Sequence, residues 1–186
     1  MSTAKKIVII GPESTGKSML SMQLAAHFNT AWCPEFARDY LIRKGPKYNY
    51  EELLSIAQGQ LMLEDQTYED FLRSGTNNRN LPFFIDTDMY VMKVWCEFVF
   101  EKCHPYVLNQ IVERKYDLYL LCNVDIPWVQ DELREYPDLE TRERLFHIYK
   151  DILINQPTPW VLISGNYEER KKVAIDAVNK YLATVN

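Results

Sequence analysis

No stretch of the 186-residue sequence approaches the ~20 consecutive apolar residues that a membrane-spanning helix needs, so no membrane partner is expected. No secretory leader is expected either, because after Met1 the chain passes almost at once into a strand pattern. Positive charge is in short supply: 21 Lys and Arg stand against 26 Asp and Glu, a net charge of −5. Such a surface offers nothing broad to a nucleic-acid backbone, and an anionic ligand has to be held locally. The four cysteines, at positions 33, 96, 103 and 122, form no C-x-x-C pair, and the three histidines stand apart from them. That suggests neither a zinc site nor a disulfide framework, and reduced core thiols of a cytoplasmic protein are expected. Internal repeats and low-complexity tracts are lacking as well. What remains is a globular composition, 47% hydrophobic and 25% charged, in a length that suits one domain over residues 1–186.

Against that background one stretch stands out. Gly11-Pro-Glu13-Ser14-Thr15-Gly16-Lys17-Ser18 fits G-x-x-x-x-G-K-[ST], the phosphate-binding loop. It follows Lys5-Lys-Ile-Val-Ile-Ile10, whose four consecutive apolar residues read as a buried parallel strand. It precedes Leu20, Leu24 and Phe28, one helical turn apart. Strand, glycine loop and helix thus come in the order the chemistry needs. The loop amides and the helix N-terminus form an anion site, Lys17 reaches the outer phosphates and the Ser18 hydroxyl can ligate Mg²⁺. Gly11, Glu13, Ser14, Thr15, Gly16, Lys17, Ser18 and Met19 are the expected ATP contacts.

The rest of the chain alternates strands and helices. Strands are expected at 29–33, 82–86, 116–122 and 160–164. Helices are expected from Pro34, from Tyr50 to about Arg73, over 89–102 and 105–115, around Leu145 to Ile152, and at the end of the chain, where Ala174, Val178, Tyr181, Leu182 and Val185 would be buried. Ser-Gly-Thr-Asn-Asn, from Ser74, would end the long helix. This predicts an α/β P-loop NTPase fold, a five-stranded parallel sheet with helices on both faces and ligands at the strands' carboxyl ends. A lid is expected over about 125–144.

A P-loop names the nucleotide, not the reaction. GTPase base recognition by N-K-x-D is absent, since Asn123-Val-Asp125 lacks the lysine, and the chain has no room for the accessory domains of mechanical ATPases. A small phosphotransferase remains, and its parts are sought as a metal-side aspartate, an acceptor-binding acid and a lid arginine. Asp86, closing an apolar strand, suits Mg²⁺ together with Ser18. Asp86 and Asp88 would share a face if the chain stays extended; an N-cap is the plainer role for Asp88. Glu35 or Asp88 could orient or deprotonate an attacking hydroxyl, while a surface ion pair with Arg38 is the plainer role for Glu35. Glu13, a carboxylate beside phosphate, could contact an acceptor sugar. Arg134, in Trp128-Val-Gln-Asp-Glu-Leu-Arg134, could close over the transferring group, with Arg142 and Arg144 as further candidates. Trp32, Phe36, Tyr40, Tyr90 and Trp95 could stack on a planar acceptor or simply fill the core.

Four motifs, G-x-E-S-[ST]-G-K-S, E-[FY]-x-R-[DE]-[FY], [FI]-I-D-T-D and W-V-x-D-x-L-R, in this order and from Lys6 onward, resemble the ribosylnicotinamide kinase domain of the NadR family of NAD-biosynthesis regulators. The resemblance implies a thymidylate-kinase-like P-loop fold with a lid, and the reaction of ATP with nicotinamide riboside to give ADP and nicotinamide mononucleotide. By matching position it implies functional roles for Glu13, Lys17, Ser18, Glu35, Arg38, Asp86, Asp88, Asp131 and Arg134. Catalytic roles then fall to Lys17, Glu35, Asp88 and Arg134, substrate contacts to Glu13, Glu35, Arg38 and Asp88, and Mg²⁺ to Ser18 and Asp86. Pro34 departs from the family, standing where it carries an aromatic, with Trp32 two positions earlier. Only ten residues precede the loop, so a stand-alone kinase is expected, without the regulators' nucleotidyltransferase and DNA-binding parts. Another nucleoside or nucleotide kinase and an ATP-binding regulatory module are the alternatives. The partner expected is a small molecule; a homo-oligomer is left open.

Overall fold

The computed structural model describes residues 4–75 and 81–185. Its centre is the strand that precedes the glycine loop. In β1 (Lys5–Ile10) the residues Ile7 to Ile10 are wholly buried, as the unbroken apolar run requires of a strand covered on both faces. β2 (Trp32–Cys33), β3 (Pro82–Asp86), β4 (Leu118–Cys122) and β5 (Trp160–Ile163) complete a parallel sheet in the order β2-β3-β1-β4-β5. Register sets the site: Ile9 lies opposite Asp86 and Ile10 opposite Leu121, so the ends of β3 and β4 flank the loop. β2 lies one strand further out, beside β3.

Helices cover both faces. α1 (Lys17–Phe28) and α7 (Tyr167–Val185) place Leu20, Leu24, Ala174 and Val178 against Ile7, Ile9 and Leu120. On the other face α3 (Tyr50–Ser74), α4 (Met89–Phe100) and α6 (Leu139–Ile154) bury Phe71, Val94, Leu145 and Tyr149 against Val8, Ile10, Ile85 and Leu121. α2 (Phe36–Lys44) and α5 (Pro105–Glu113) join α3 and α4 in a separate helical cluster beyond the edge of the sheet. Among the described residues no helix is long and apolar enough to cross a membrane.

Several boundaries differ from the sequence reading, each for a local reason. The strand expected from Asn29 begins at Trp32, because Asn29 adopts φ 50° as the left-handed cap of α1 and its N–H bonds the carbonyls of Ala25 and Ala26. Pro34 does not open α2: that helix starts at Phe36 with Glu35 as its N-cap. The connection over 125–138 is an irregular strap without helix, and α6 begins directly after Asp138, whose side chain accepts from the Thr141 N–H at 2.7 Å. Arg142 and Arg144 therefore sit on a helix. The expected helix breaker falls partly, and the Val185 side chain wholly, outside the described residues.

The start of α2 is fixed from α3 by two adjacent residues. Buried Gln60 accepts from the Phe36 N–H at 2.7 Å and donates to the Pro34 carbonyl at 3.3 Å, gripping the backbone on either side of Glu35. Gly59 makes room for the Phe36 ring: a Cβ there would stand 2.2 Å from the ring edge. Gly59→Ala is therefore expected to lower stability by about 1–3 kcal/mol, the usual cost of overpacking, as read from the denaturant midpoint. Helix propensity alone would give a gain of about 1 kcal/mol, so an unchanged or raised midpoint would refute the packing account.

Candidate active site

The loop is shaped by three residues with positive φ: Gly11 at 144°, Ser14 at 55° and Gly16 at 78°. At Gly11 a Cβ would come within 2.7 Å of the Cys122 carbonyl oxygen, so the loop lies tightly on the end of β4. α1 then starts at Lys17 with no side-chain cap, which leaves its first amides to a ligand. Two contacts hold the loop from within: Thr15 Oγ1 donates to the Pro12 carbonyl at 2.7 Å and Lys17 Nζ to the same carbonyl at 2.8 Å. Arg170, 3% exposed, holds it from α7 by donating to the Thr15 carbonyl, the Asn123 carbonyl and the Gly165 carbonyl at 2.8 Å each, and it pairs with Asp125.

Two carboxylates converge on Lys17. Asp86 is fully buried at the end of β3, and neither of its oxygens finds a partner of full hydrogen-bond geometry among the described residues; the Ser18 and Thr87 hydroxyls are the near donors. Burial raises its pKa, with Lys17 pulling the other way. An orphaned buried carboxylate beside the loop serine is an all-oxygen donor set of the kind Mg²⁺ takes together with phosphate and water. Glu35, at the N-cap of α2, is pushed up to about 7, first by burial and then by the charge of Asp86, while Lys17 and Arg38 oppose the rise.

Asp88 is not the second member of this pair. Thr87 turns the chain at φ 80°, so the extended run needed to put Asp86 and Asp88 on one face is broken. Asp88 is 1% exposed and caps α4, accepting from the Tyr90 N–H at 3.0 Å, the Val91 N–H at 3.4 Å and the Tyr119 hydroxyl at 2.9 Å. Burial pushes its carboxyl up to about 7 as well. The plainer N-cap reading is the one realised.

Glu13 lines the cleft and is engaged by the strap. Its carboxylate accepts from the Trp128 indole N–H at 3.3 Å, the Glu135 N–H at 2.9 Å and the Tyr136 N–H at 2.8 Å, all from the strap. The Ser14 hydroxyl accepts from the Val129 N–H at 3.1 Å. Arg134 lines the cleft, and its guanidinium donates to the Val129 carbonyl within the same strap. Arg38 pairs with Asp131 across the cleft through two hydrogen bonds, 2.8 and 3.3 Å, rather than with Glu35. Buried Arg142 reaches the Ser14 carbonyl at 3.4 Å, and Arg144 lies 5.3 Å above the Phe98 ring.

One cleft of about 650 Å³ is lined by the loop and Glu35 and includes a chamber side formed by Tyr48, Val91, Trp95, Phe98 and the strap. Tyr48 organises this chamber: its hydroxyl accepts from the Trp95 indole N–H at 2.8 Å and donates to Glu135 at 2.8 Å. Tyr136 meets Phe98 edge to face at 5.4 Å. Of the five aromatics singled out in the sequence only Trp95 lines the cleft. Trp32 packs with the α1 and α7 side of the sheet, Phe36 and Tyr40 with the helical cluster, and Tyr90 with the core around α4 and α6.

A family described as an AAA domain matches residues 6–170. The chain belongs to that AAA domain family. It is 28% identical over 183 residues to the trifunctional NAD biosynthesis/regulator protein NadR of Escherichia coli (strain K12), covering 96% of this chain and 43% of that protein. The same figures hold for NadR of Salmonella typhimurium (strain LT2). The chain thus spans less than half the length of these curated relatives. Among solved structures it is similar to the NadR protein in complex with NR, at a TM-score of 0.79 and 24% identity over 97% of this chain and 50% of that one. NadR in complex with NAD and AMP-PNP gives a TM-score of 0.72, again at 24% identity and the same coverage. Thymidylate kinase from Ehrlichia chaffeensis gives 0.65 at 14% identity, over 96% of this chain and 98% of that one. The P-loop fold and its thymidylate-kinase-like arrangement follow.

In this AAA domain four site residues escaped sequence reasoning. Gln60 carried a usable signal, a polar residue inside the apolar stripe of Ile56, Ala57 and Leu61. Arg170 and Phe98 carried none, because each faces its partners only through tertiary packing. Tyr48 follows Lys-Gly-Pro-Lys, a stretch that reads as a helix breaker and hides a chamber wall.

Proposed function

We propose that the chain transfers the γ-phosphoryl group of ATP to the 5′-hydroxyl of nicotinamide riboside. The observation that carries this reading is one cleft lined by the phosphate loop, by Glu35 and by the aromatic residues Tyr48, Trp95 and Phe98. The likeness to NadR, one structure of which holds NR and another AMP-PNP, supports it. The loop amides and Lys17 hold the phosphates. Ser18 and Asp86 would hold Mg²⁺, which when bound offsets charge on the β- and γ-phosphates.

The acceptor oxygen attacks the γ-phosphorus, the bond from that phosphorus to the bridging oxygen breaks, and ADP leaves. Glu35 takes the hydroxyl proton: its pKa of about 7 is matched to a base working near neutrality. Arg134 supplies positive charge from the strap side of the cleft. Asp88 serves the site by fixing the start of α4, on which Val91, Trp95 and Phe98 stand.

ADP release from Mg-ATP across nicotinamide riboside, uridine, cytidine, deoxynucleosides and no acceptor tests the reading. Release with nicotinamide riboside, at least about tenfold above the other arms and yielding nicotinamide mononucleotide, is expected. Preference for another nucleoside would reassign the acceptor, and equal release without one would make the chain an ATP-binding module.

A further inference from the structure

We propose that Glu13 is a positioning residue that couples the two ends of the cleft, docking the strap onto the phosphate loop so that nucleotide and acceptor strengthen each other's binding. The inference rests on the proposed two-substrate reading, and its test separates the two.

The connection is physical at each step. On one side Glu13 belongs to the loop that wraps the phosphates. On the other its two oxygens hold successive strap amides, Oε2 that of Glu135 and Oε1 that of Tyr136, with the Trp128 indole as a third donor. The same strap residues build the acceptor chamber. Glu135 holds the Tyr48 hydroxyl, Tyr136 packs on Phe98, and Asp131 fixes Arg38 on α2. A shift of the strap therefore reshapes the chamber; among the described residues Glu13 and Ser14 tie the loop directly to the strap, Arg142 of α6 reaches the Ser14 carbonyl, and Arg170 links the Thr15 carbonyl to Asp125 where the strap begins.

The sign of the coupling follows from charge. A carboxylate in a loop that takes up a polyanion is disfavoured unless donors meet its charge. Two backbone amides and an indole do so only while the strap is docked, so a bound triphosphate favours docking. The docked strap completes the chamber. By reciprocity an acceptor that favours the docked strap tightens the nucleotide by the same factor. A glutamine cannot replace the glutamate here. The two amides bind different oxygens, and an amide side chain would turn its NH₂ group toward one of them.

The test measures Kd for Mg-AMP-PNP with and without saturating nicotinamide riboside, and amide exchange along residues 128–136. In the native chain the acceptor should tighten AMP-PNP by about 5–150-fold, the ordinary span of coupling between sites. In Glu13→Gln the factor by which the acceptor tightens AMP-PNP should fall below about twofold. Trp128→Phe, which removes one donor from the strap side and leaves the loop sequence intact, should lose part of the factor. AMP-PNP by itself should slow exchange of the Glu135 and Tyr136 amides in the native chain and not in Glu13→Gln. Coupling retained in Glu13→Gln, or strap amides indifferent to AMP-PNP in the native chain, overturns the inference. Failure of nicotinamide riboside to bind overturns the choice of acceptor instead and leaves the exchange measurement to decide the role of Glu13.

Discussion

Glu35→Gln is expected to lower kcat by about 10²–10⁴-fold, the usual worth of a positioned general base, with KM for ATP nearly unchanged. The substitution keeps size and the N-cap backbone that Gln60 grips, so the cleft should persist while the proton acceptor is lost. The native pH profile should carry the same signature. Burial and the charge of Asp86 hold the Glu35 carboxyl near 7, so kcat/KM should rise as pH increases through that value and the base loses its proton. Stability should move the opposite way. The unfolded carboxyl titrates at 4.5 and the folded one near 7, so the folded chain binds the extra proton between those values. The contribution is fully present below about 4.5 and is lost as pH rises through 7. Asp88→Asn serves as the control, since Asn also caps a helix: it should keep most of kcat and the same rising limb. A Glu35→Gln protein that retains native kcat, or loses no more than Asp88→Asn does, would remove Glu35 from the reaction.

Lys17→Ala is expected to abolish measurable turnover, a loss of about 10³-fold or more given a charge placed on the transferring phosphate, and to leave the chain folded. Lys17 acts on several parts of the phosphate end. It spans the loop to the Pro12 carbonyl at 2.8 Å, and it pulls down the carboxyls of both Glu35 and Asp86. Folding should survive because its side chain lines the cleft and is not packed in the core. The variant should also move Glu35: without the ammonium that opposes the rise, its carboxyl should titrate above its native value, as NMR titration of that residue would read. A native far-UV spectrum with no ADP release is the expected outcome, and retained turnover would refute the phosphate-loop assignment.

The legible part of this molecule was whatever chain-local chemistry encodes. Strand, glycine loop and helix are legible in consecutive residues, and β1 and β3 lie where the apolar pattern puts them, with α1 directly after the loop. What sequence neighbours do not show is where Asp88 and Glu13 find their partners, which stand far along the chain: Tyr119 for Asp88, and Trp128, Glu135 and Tyr136 for Glu13. A single left-handed residue, Thr87, sufficed to turn Asp88 away from Asp86. A non-glycine residue at φ 80° leaves no mark in composition or periodicity. The aromatic chamber was hidden for a related reason, because Tyr48, Trp95 and Phe98 come from a loop and a helix that meet only once the helical cluster has packed.

The Arg170 clasp carries a consequence for how the protein comes off the ribosome. The phosphate loop is made well before its support, because its Thr15 carbonyl is held by a guanidinium 155 positions later, which also joins Asn123 and Gly165. At about 5–20 residues per second of synthesis, the loop spends several seconds at least as a nascent segment without its support. The phosphate loop is thus completed only after α7 has been made, and nucleotide can act as a folding ligand only for chains whose α7 has already emerged.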